Sequence, residues 1–216
     1  SLPFRVTGAQ ERCVAEIRAD LEAKHPMNRL LQGDVGSGKT LVAVSAILLA
    51  VESGCQAALM APTQILAEQH YLVLNRWLSP LGIRVGLRTA TRRENEEMPL
   101  FDDSQPQVLV GTHALFYGTG EFDDLGLVVI DEQHKFGVTQ RGRLIGQGTC
   151  PDVLVMTATP IPRTLTLTVY GDLDVSVLDE APGGRGEIIT AVRAAGKDVQ
   201  KATRFLKDHL GKGRQA

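Results

Sequence analysis

Apolar residues in this chain fall into short unbroken runs, separated by stretches in which they recur every three or four positions. The first kind predicts strands buried on both faces, the second amphipathic helices. Thr7-Gly8-Ala9-Gln10 opens a helix that carries Val14, Ile17 and Leu21 on one side, and His25-Pro26 stops it. Strands are expected over Asn28–Gln32, Gln56–Ala61, Ile83–Arg88, Gln107–Gly111, Leu125–Ile130, Val153–Met156 and Val175–Leu178. Helices are expected over Lys39–Glu52 and Thr63–Leu78, near Ala114, and over Gly137–Ile145 and Pro162–Tyr170. Strand and helix alternate, so the fold class is α/β, with a central, mainly parallel sheet and helices on both faces. Ligands in such sheets bind beyond the carboxyl ends of the strands.

Composition shifts at Ala181-Pro182-Gly183-Gly184-Arg185-Gly186, a linker signal. The expected organisation is a domain over 1–178, a linker over 179–187, and the start of an incomplete second domain over 188–216. That last segment holds one more strand, Ile188–Val192, and one helix, Lys197–Leu210, whose Phe205, Leu206 and Leu210 call for a partner. The chain therefore reads as a fragment. Aromatics are only 5% of residues, so the core is expected to be aliphatic. Net charge is −2, which argues against holding nucleic acid by bulk positive charge and leaves room for weak local phosphate contacts. Cys13, Cys55 and Cys150 lie far apart without metal or redox spacing, and read as small hydrophobes in a reducing compartment. Ser1-Leu2-Pro3-Phe4 opens straight into a turn, with no leader expected, and the longest apolar run, Leu41–Val51, is too short to span a bilayer. A cytoplasmic protein with no membrane partner is expected.

Gly33-Asp34-Val35-Gly36-Ser37-Gly38-Lys39-Thr40 fits the P-loop pattern, between a strand and a helix. Its glycines let backbone N–H groups turn toward phosphate oxygens, and the following helix presents its positive end. Lys39 is placed to reach the β- and γ-phosphates and Thr40 to coordinate Mg²⁺. The second half of such a site is Asp131-Glu132 at the end of the most hydrophobic strand. Asp131 would hold the magnesium ion, directly or through water, and Glu132 would orient and deprotonate the attacking water. ATP and Mg²⁺ are the expected ligands, with Lys39, Asp131 and Glu132 the catalytic set and Gly33, Gly36, Ser37, Gly38, Lys39 and Thr40 the nucleotide cradle. Small-molecule kinases lack the acidic strand end, and a switch GTPase would need an Asn-Lys-x-Asp base reader, which the sequence lacks. Gln10 has two readings. Thr7-x-x-Gln10 is a capping box, which alone accounts for both residues; the other reading pairs the Gln10 amide with the adenine edge, with Phe4 packing nearby.

Asp131-Glu132-Gln133-His134 is a DExH-type motif of superfamily 2 helicases. Together with Leu31-Gln32 through Thr40, Lys135-Phe136-Gly137-Val138, Met156 through Leu165 and Tyr170-Gly171-Asp172-Leu173-Asp174, it closely resembles the RecG family. Those are bacterial ATP-dependent helicases that remodel branched DNA such as stalled forks and Holliday junctions. The resemblance covers Phe4–Ala216 and implies a RecA-like first motor domain acting in DNA repair and recombination, with ATP hydrolysis coupled to DNA unwinding. It favours adenine recognition by Phe4 and Gln10. It implies DNA-backbone contacts from Pro62-Thr63 and Gly111-Thr112-His113, and coupling of hydrolysis to movement by Gln133, His134, Thr157 and Thr159. Partners implied are branched or forked DNA, a second RecA-like lobe and an N-terminal wedge domain. Set against this is a nucleotide-binding module with little turnover of its own.

Lys135 stands where the family pattern has Arg, and Thr89-Ala90-Thr91-Arg92-Arg93 replaces a more glycine-containing loop. Simpler readings also exist for the DNA-facing residues. Pro62-Thr63 suits a loop and helix N-cap, Gly111-Thr112-His113 a turn, and Thr157 and Thr159 hydroxyls that bond their own loop. Arg92-Arg93, opposed by Glu94, Glu96 and Glu97, suits a solvated face. His70 and His209 lie on helices with no partner evident from the sequence.

Overall fold

The computed structural model describes residues 5–89, 106–112, 115, 122–131, 151–159, 173–180 and 197–211. The chain divides into two compact units, Ser1–Gly183 and Gly184–Ala216. In the first, α1 (Gly8–Leu21) precedes β1 (Asn28–Gly33), α2 (Lys39–Glu52), β2 (Gln56–Met60) and α3 (Gln64–Leu78). A short 3-10 turn over Ser79–Leu81 leads to β3 (Val85–Arg88), β4 (Val108–Gly111), β5 (Leu125–Asp131), β6 (Asp152–Thr157) and β7 (Asp174–Leu178). The expected helices near Ala114, over Gly137–Ile145 and over Pro162–Tyr170, and the strand Ile188–Val192, lie outside the described residues. The second unit is described by one helix, α4 (Lys197–Gly211). On it His209 stacks on Phe205 at 4.7 Å between ring centroids, a partner that the sequence reading did not assign.

The seven strands form one sheet in the order β3-β4-β2-β5-β6-β1-β7. Every described pairing is parallel. Successive residues point to opposite faces. Leu31, Leu59, Val110, Val129, Leu154 and Met156 pack against Ala9, Cys13 and Ile17 of α1, Val42, Ala46 and Ile47 of α2, and Ala67, Leu74 and Leu78 of α3. The alternate residues Leu30, Ala58, Met60, Val128, Ile130 and Val155 are buried too, in a second cluster. Burial on both faces explains the unbroken apolar runs: each such side chain contributes roughly 1.5–3 kcal/mol by leaving water. Helix α2 is apolar nearly all round, as a helix wedged into the core must be.

Among the described residues, Arg29 on β1 is the buried charge of the sheet. Its Nε donates to Asp20 Oδ2 at 2.6 Å and one terminal nitrogen to Ser176 Oγ at 3.0 Å, while Glu16 lies 3.6 Å away. Burial alone would lower the guanidinium pKa; the bond and charge of Asp20, with Asp174 and Glu16, more than offset this and raise it. The cluster ties the beginning of β1 to α1 and β7.

Candidate functional site

Strand β1 ends in the P-loop. Gly36 and Gly38 have φ of +78° and +88°, a region where a Cβ is strained. Around Gly36 the chain folds tightly: Ser37 N–H donates to Asp34 O at 3.1 Å, and Val35 N–H to the Asp34 carboxylate at 2.8 Å. Gly33 closes β1 beside Leu178 of β7. Lys39 Nζ donates to the carbonyls of Gly33 at 2.8 Å and Asp34 at 3.0 Å, so the ammonium lies across the loop. Thr40 sits in the first turn of α2, whose N-terminus has no side-chain cap. Ser37 Oγ is buried and has no hydrogen-bond partner. An orphaned hydroxyl and an uncapped helix end are both destabilising unless something accepts their hydrogens. Phosphate oxygens are acceptors of the right charge, so these residues fit a nucleotide triphosphate.

Gln10 reconciles its two sequence readings only in part. The capping box is formed, with Thr7 N–H on Gln10 Oε1 at 3.0 Å and Gln10 N–H on Thr7 Oγ1 at 3.2 Å. The amide nitrogen also donates to Ser37 O at 2.9 Å, inside the P-loop. The buried side chain thus joins the first turn of α1 to the phosphate cradle. Each amide atom keeps one further hydrogen-bonding site. Phe4 lies outside the described residues.

Asp131 closes β5. It pairs in register with Met156 of β6, and Met156 pairs with Leu31 of β1. The P-loop and the aspartate therefore leave the same edge of the sheet, two strand spacings apart, roughly 10 Å. One strand, β6, separates them and ends in Thr157. Glu132, Gln133 and His134 lie outside the described residues. The sequence reading gave His70 no partner, and the structure corrects this: His70 Nε2 lies 2.7 Å from Asp131 Oδ2. The signal was in the connection. Up to three extended residues carry the chain beyond β2, about 10 Å, and seven helical residues from Thr63 to His70 bring it back about as far.

The remaining candidates line the same edge. Thr157 is fully buried, and its hydroxyl lies 2.9 Å from Thr159 Oγ1 and accepts from Thr159 N–H at 3.2 Å. This is the local turn foreseen as the simpler reading. Pro62 precedes Thr63, whose hydroxyl caps α3 by accepting from Leu66 N–H at 3.4 Å. Gly111 ends β4 with its carbonyl bonded to Ala61 N–H at 2.9 Å, and Thr112 is buried just beyond. His113 lies outside the described residues, as do Arg92, Arg93 and Lys135. A small cleft opens at this edge among Gln32, Gly33, Asp34, Ala158, Val177 and Leu178. A larger one, lined by Arg18, Glu22, Cys55, Gly126 and Asp152 among others, lies at the opposite end of the strands and holds none of the phosphate-binding geometry. Cys13 is buried and Cys55 partly so; burial pushes both thiols up, so neither is poised as a nucleophile. Among the described residues no helix is long and apolar enough to cross a membrane.

Comparison with known proteins places this geometry. RecG, an ATP-dependent DNA helicase of Synechocystis, is 54% identical over 99% of this chain and 26% of its own length. The Haemophilus influenzae RecG is 49% identical over 100% of this chain and 32% of its own. The chain thus spans about a quarter to a third of the curated relatives it matches. A solved structure of RecG bound to a three-way DNA junction superposes with a TM-score of 0.83 at 44% identity, over 98% of this chain and 29% of that one. A Saccharomyces cerevisiae Dbp5 variant bound to Nup159, Gle1, IP6 and ADP shares the fold alone, with a TM-score of 0.55 at 18% identity over 80% of this chain and 48% of that one. The DEAD/DEAH box helicase model matches residues 7–168, a stretch that contains the P-loop, Asp131 and the strand-end threonines. On that match and that geometry, the chain belongs to the DEAD/DEAH box helicase family.

Proposed function

We propose that this chain is the first RecA-like motor domain of a RecG-type helicase, binding MgATP at the carboxyl edge of its sheet and acting on branched or forked DNA. The observation that carries the nucleotide half is the common edge shared by the P-loop and Asp131, with register continuous from β1 through β6 to β5. When bound, the magnesium ion neutralises charge on the phosphates during transfer. The chain's own residues do the rest. Backbone N–H groups from Gly36 to Thr40 cradle phosphate oxygens, and Ser37 Oγ gains the acceptor it lacks. Lys39 leaves the Gly33 and Asp34 carbonyls for the β- and γ-phosphates. Thr40 and Asp131 hold the metal, and Glu132 orients and deprotonates the attacking water. Gln10 uses its remaining amide capacity on the adenine edge, beside Phe4.

The DNA half rests on sequence likeness to RecG proteins, one of which is solved on a three-way junction. Pro62, Thr63, Gly111, Thr112 and His113 would track a DNA backbone along the carboxyl edge, while Gln133, His134, Thr157 and Thr159 would couple hydrolysis to movement. Thr157 is too buried to touch DNA, so its part would be played through Thr159. A second lobe supplying an arginine, a wedge domain that splits the junction and a cytoplasmic location belong to the same proposal.

A qualified form of this reading applies to the 216-residue chain by itself: a nucleotide-binding module with little turnover. Without an arginine in trans, hydrolysis can fall on the order of 10³-fold. The test is binding of a fluorescent ATP analogue with magnesium, followed by hydrolysis with and without forked DNA. Weak binding that Lys39→Ala abolishes, with slow turnover, is expected. Strong DNA-stimulated turnover by this chain alone would contradict the need for a second lobe; failure to bind MgATP would remove the motor reading.

A further inference from the structure

A side-chain contact of 2.7 Å joins His70 to Asp131. It spans 61 residues and joins the second turn of α3 to the last residue of β5. Both side chains are mostly buried, at 12% and 15% exposure. With the carboxylate oxygen as acceptor, the contact needs the hydrogen on His70 Nε2. The bond therefore fixes one rotamer of Asp131 and takes up Oδ2, leaving Oδ1 as the less committed oxygen. The geometry points to His70 as a positioning residue that holds the Asp131 carboxylate ready for the magnesium ion of the nucleotide site. Partners of this kind orient metal-ligating carboxylates, and their loss costs metal affinity rather than nucleotide affinity. The inference rests on the nucleotide reading above. It adds a residue on a different element, the helix that starts at the proposed DNA-contacting segment Pro62-Thr63.

A plain structural clamp between α3 and β5 would give the same distance, so the test must separate the two. His70→Phe keeps a ring and removes the donor; His70→Gln keeps an amide donor. Each variant of the 216-residue chain is titrated with a non-hydrolysable fluorescent ATP analogue, first in EDTA and then across a magnesium series. The expected result is unchanged affinity in EDTA for both variants. The magnesium concentration giving half the metal-dependent gain should rise roughly 10–100-fold for His70→Phe and return most of the way for His70→Gln. If His70→Phe keeps the wild-type magnesium midpoint, or loses affinity equally with and without magnesium, the assignment is overturned. Should His70→Phe fail to fold, ¹⁵N spectra of the wild-type imidazoles decide, with the His70 signal identified by its loss in His70→Gln. An Nε2–H tautomer whose shift moves when magnesium joins the nucleotide supports the role. An Nδ1–H tautomer, or a shift indifferent to the metal, sinks it. The two readings fail differently: wild-type protein without magnesium-dependent binding removes the nucleotide site itself, whereas normal wild-type binding with an unaffected His70→Phe removes only His70.

Discussion

Gly36 and Gly38 share a positive φ of similar size and have very different surroundings, which makes them a useful pair. A Cβ at Gly36 would meet nothing within 4 Å, while one at Gly38 would fall 2.2 Å from Gln10 Nε2. At both sites alanine carries the left-handed strain of an L-residue, about 1–2 kcal/mol. At Gly38 it must also expel the Gln10 amide. That breaks the bond to Ser37 O and disturbs the capping box at Thr7, at about 1 kcal/mol each. Gly36→Ala should therefore cost about 1–2 kcal/mol and Gly38→Ala about 3–4 kcal/mol. For a chain of this size that corresponds to melting temperatures lower by about 5 °C and about 10 °C. The assay is urea and thermal unfolding without nucleotide, in wild-type and Gln10→Ala backgrounds. With the amide gone, the excess cost at Gly38 should vanish and the two glycines should become equivalent. If Gly38→Ala costs the same in both backgrounds, the Gln10–Ser37 contact does not couple α1 to the loop and the reasoning fails.

Other outcomes follow from single residues. Glu132→Gln should leave binding of the ATP analogue intact while the slow hydrolysis disappears; unchanged hydrolysis would overturn its role as the base. Arg29→Met should lower stability by roughly 2–3 kcal/mol in urea unfolding, below the fully buried case because Asp20 and Glu16 are partly solvated; no loss would mean the cluster on β1 is ornamental. Asp152 has its pKa raised by burial, partly offset by the Met27 N–H. Its folded-state pKa thus exceeds the unfolded one, so stability from this group is complete below the unfolded pKa and is lost as pH rises through the folded value. Asp152→Asn should accordingly be more stable than wild type at pH 7 and lose that advantage below about pH 4, the ordinary aspartate range. A denaturant midpoint difference independent of pH would contradict the burial argument.

The inner strands β2, β4, β5 and β6 were legible because they are buried on two faces and so mostly apolar, whereas the edge strand β7 leaves Asp174 and Val177 exposed. Boundaries slipped where the backbone bonds elsewhere. Ile83 and Arg84 look like strand but send their N–H groups to Leu78 O and to the Gln107 side chain, so β3 begins at Val85. Likewise α1 ends at Leu21, short of His25-Pro26: Glu22 N–H still makes the helical bond to Arg18 O, but Ala23 N–H closes a tighter turn onto Asp20 O. Strand order was beyond reach, since it depends on which crossovers skip a position. The P-loop was legible as a motif because its chemistry is local. The longer-range contacts were not: the Gln10–Ser37 bond that braces the P-loop spans 27 residues, and the His70 contact with Asp131 spans 61.

Those two braces share a logic. Each half of the proposed nucleotide site is a short segment leaving a strand end. The P-loop is steadied by Gln10 from the first turn of α1, and Asp131 by His70 from the second turn of α3. The N-terminus of α1 is where adenine recognition is proposed, and that of α3 is where DNA contact is proposed. Each proposed recognition element thus carries a side chain that bonds directly to the P-loop or to Asp131, the proposed phosphate and metal sites. A shift of either helix on binding its ligand would move the matching half of the site without any long relay. One residue, rather than a chain of packed neighbours, would then transmit each signal, which is why both can be cut by a single substitution that leaves the core of the sheet untouched.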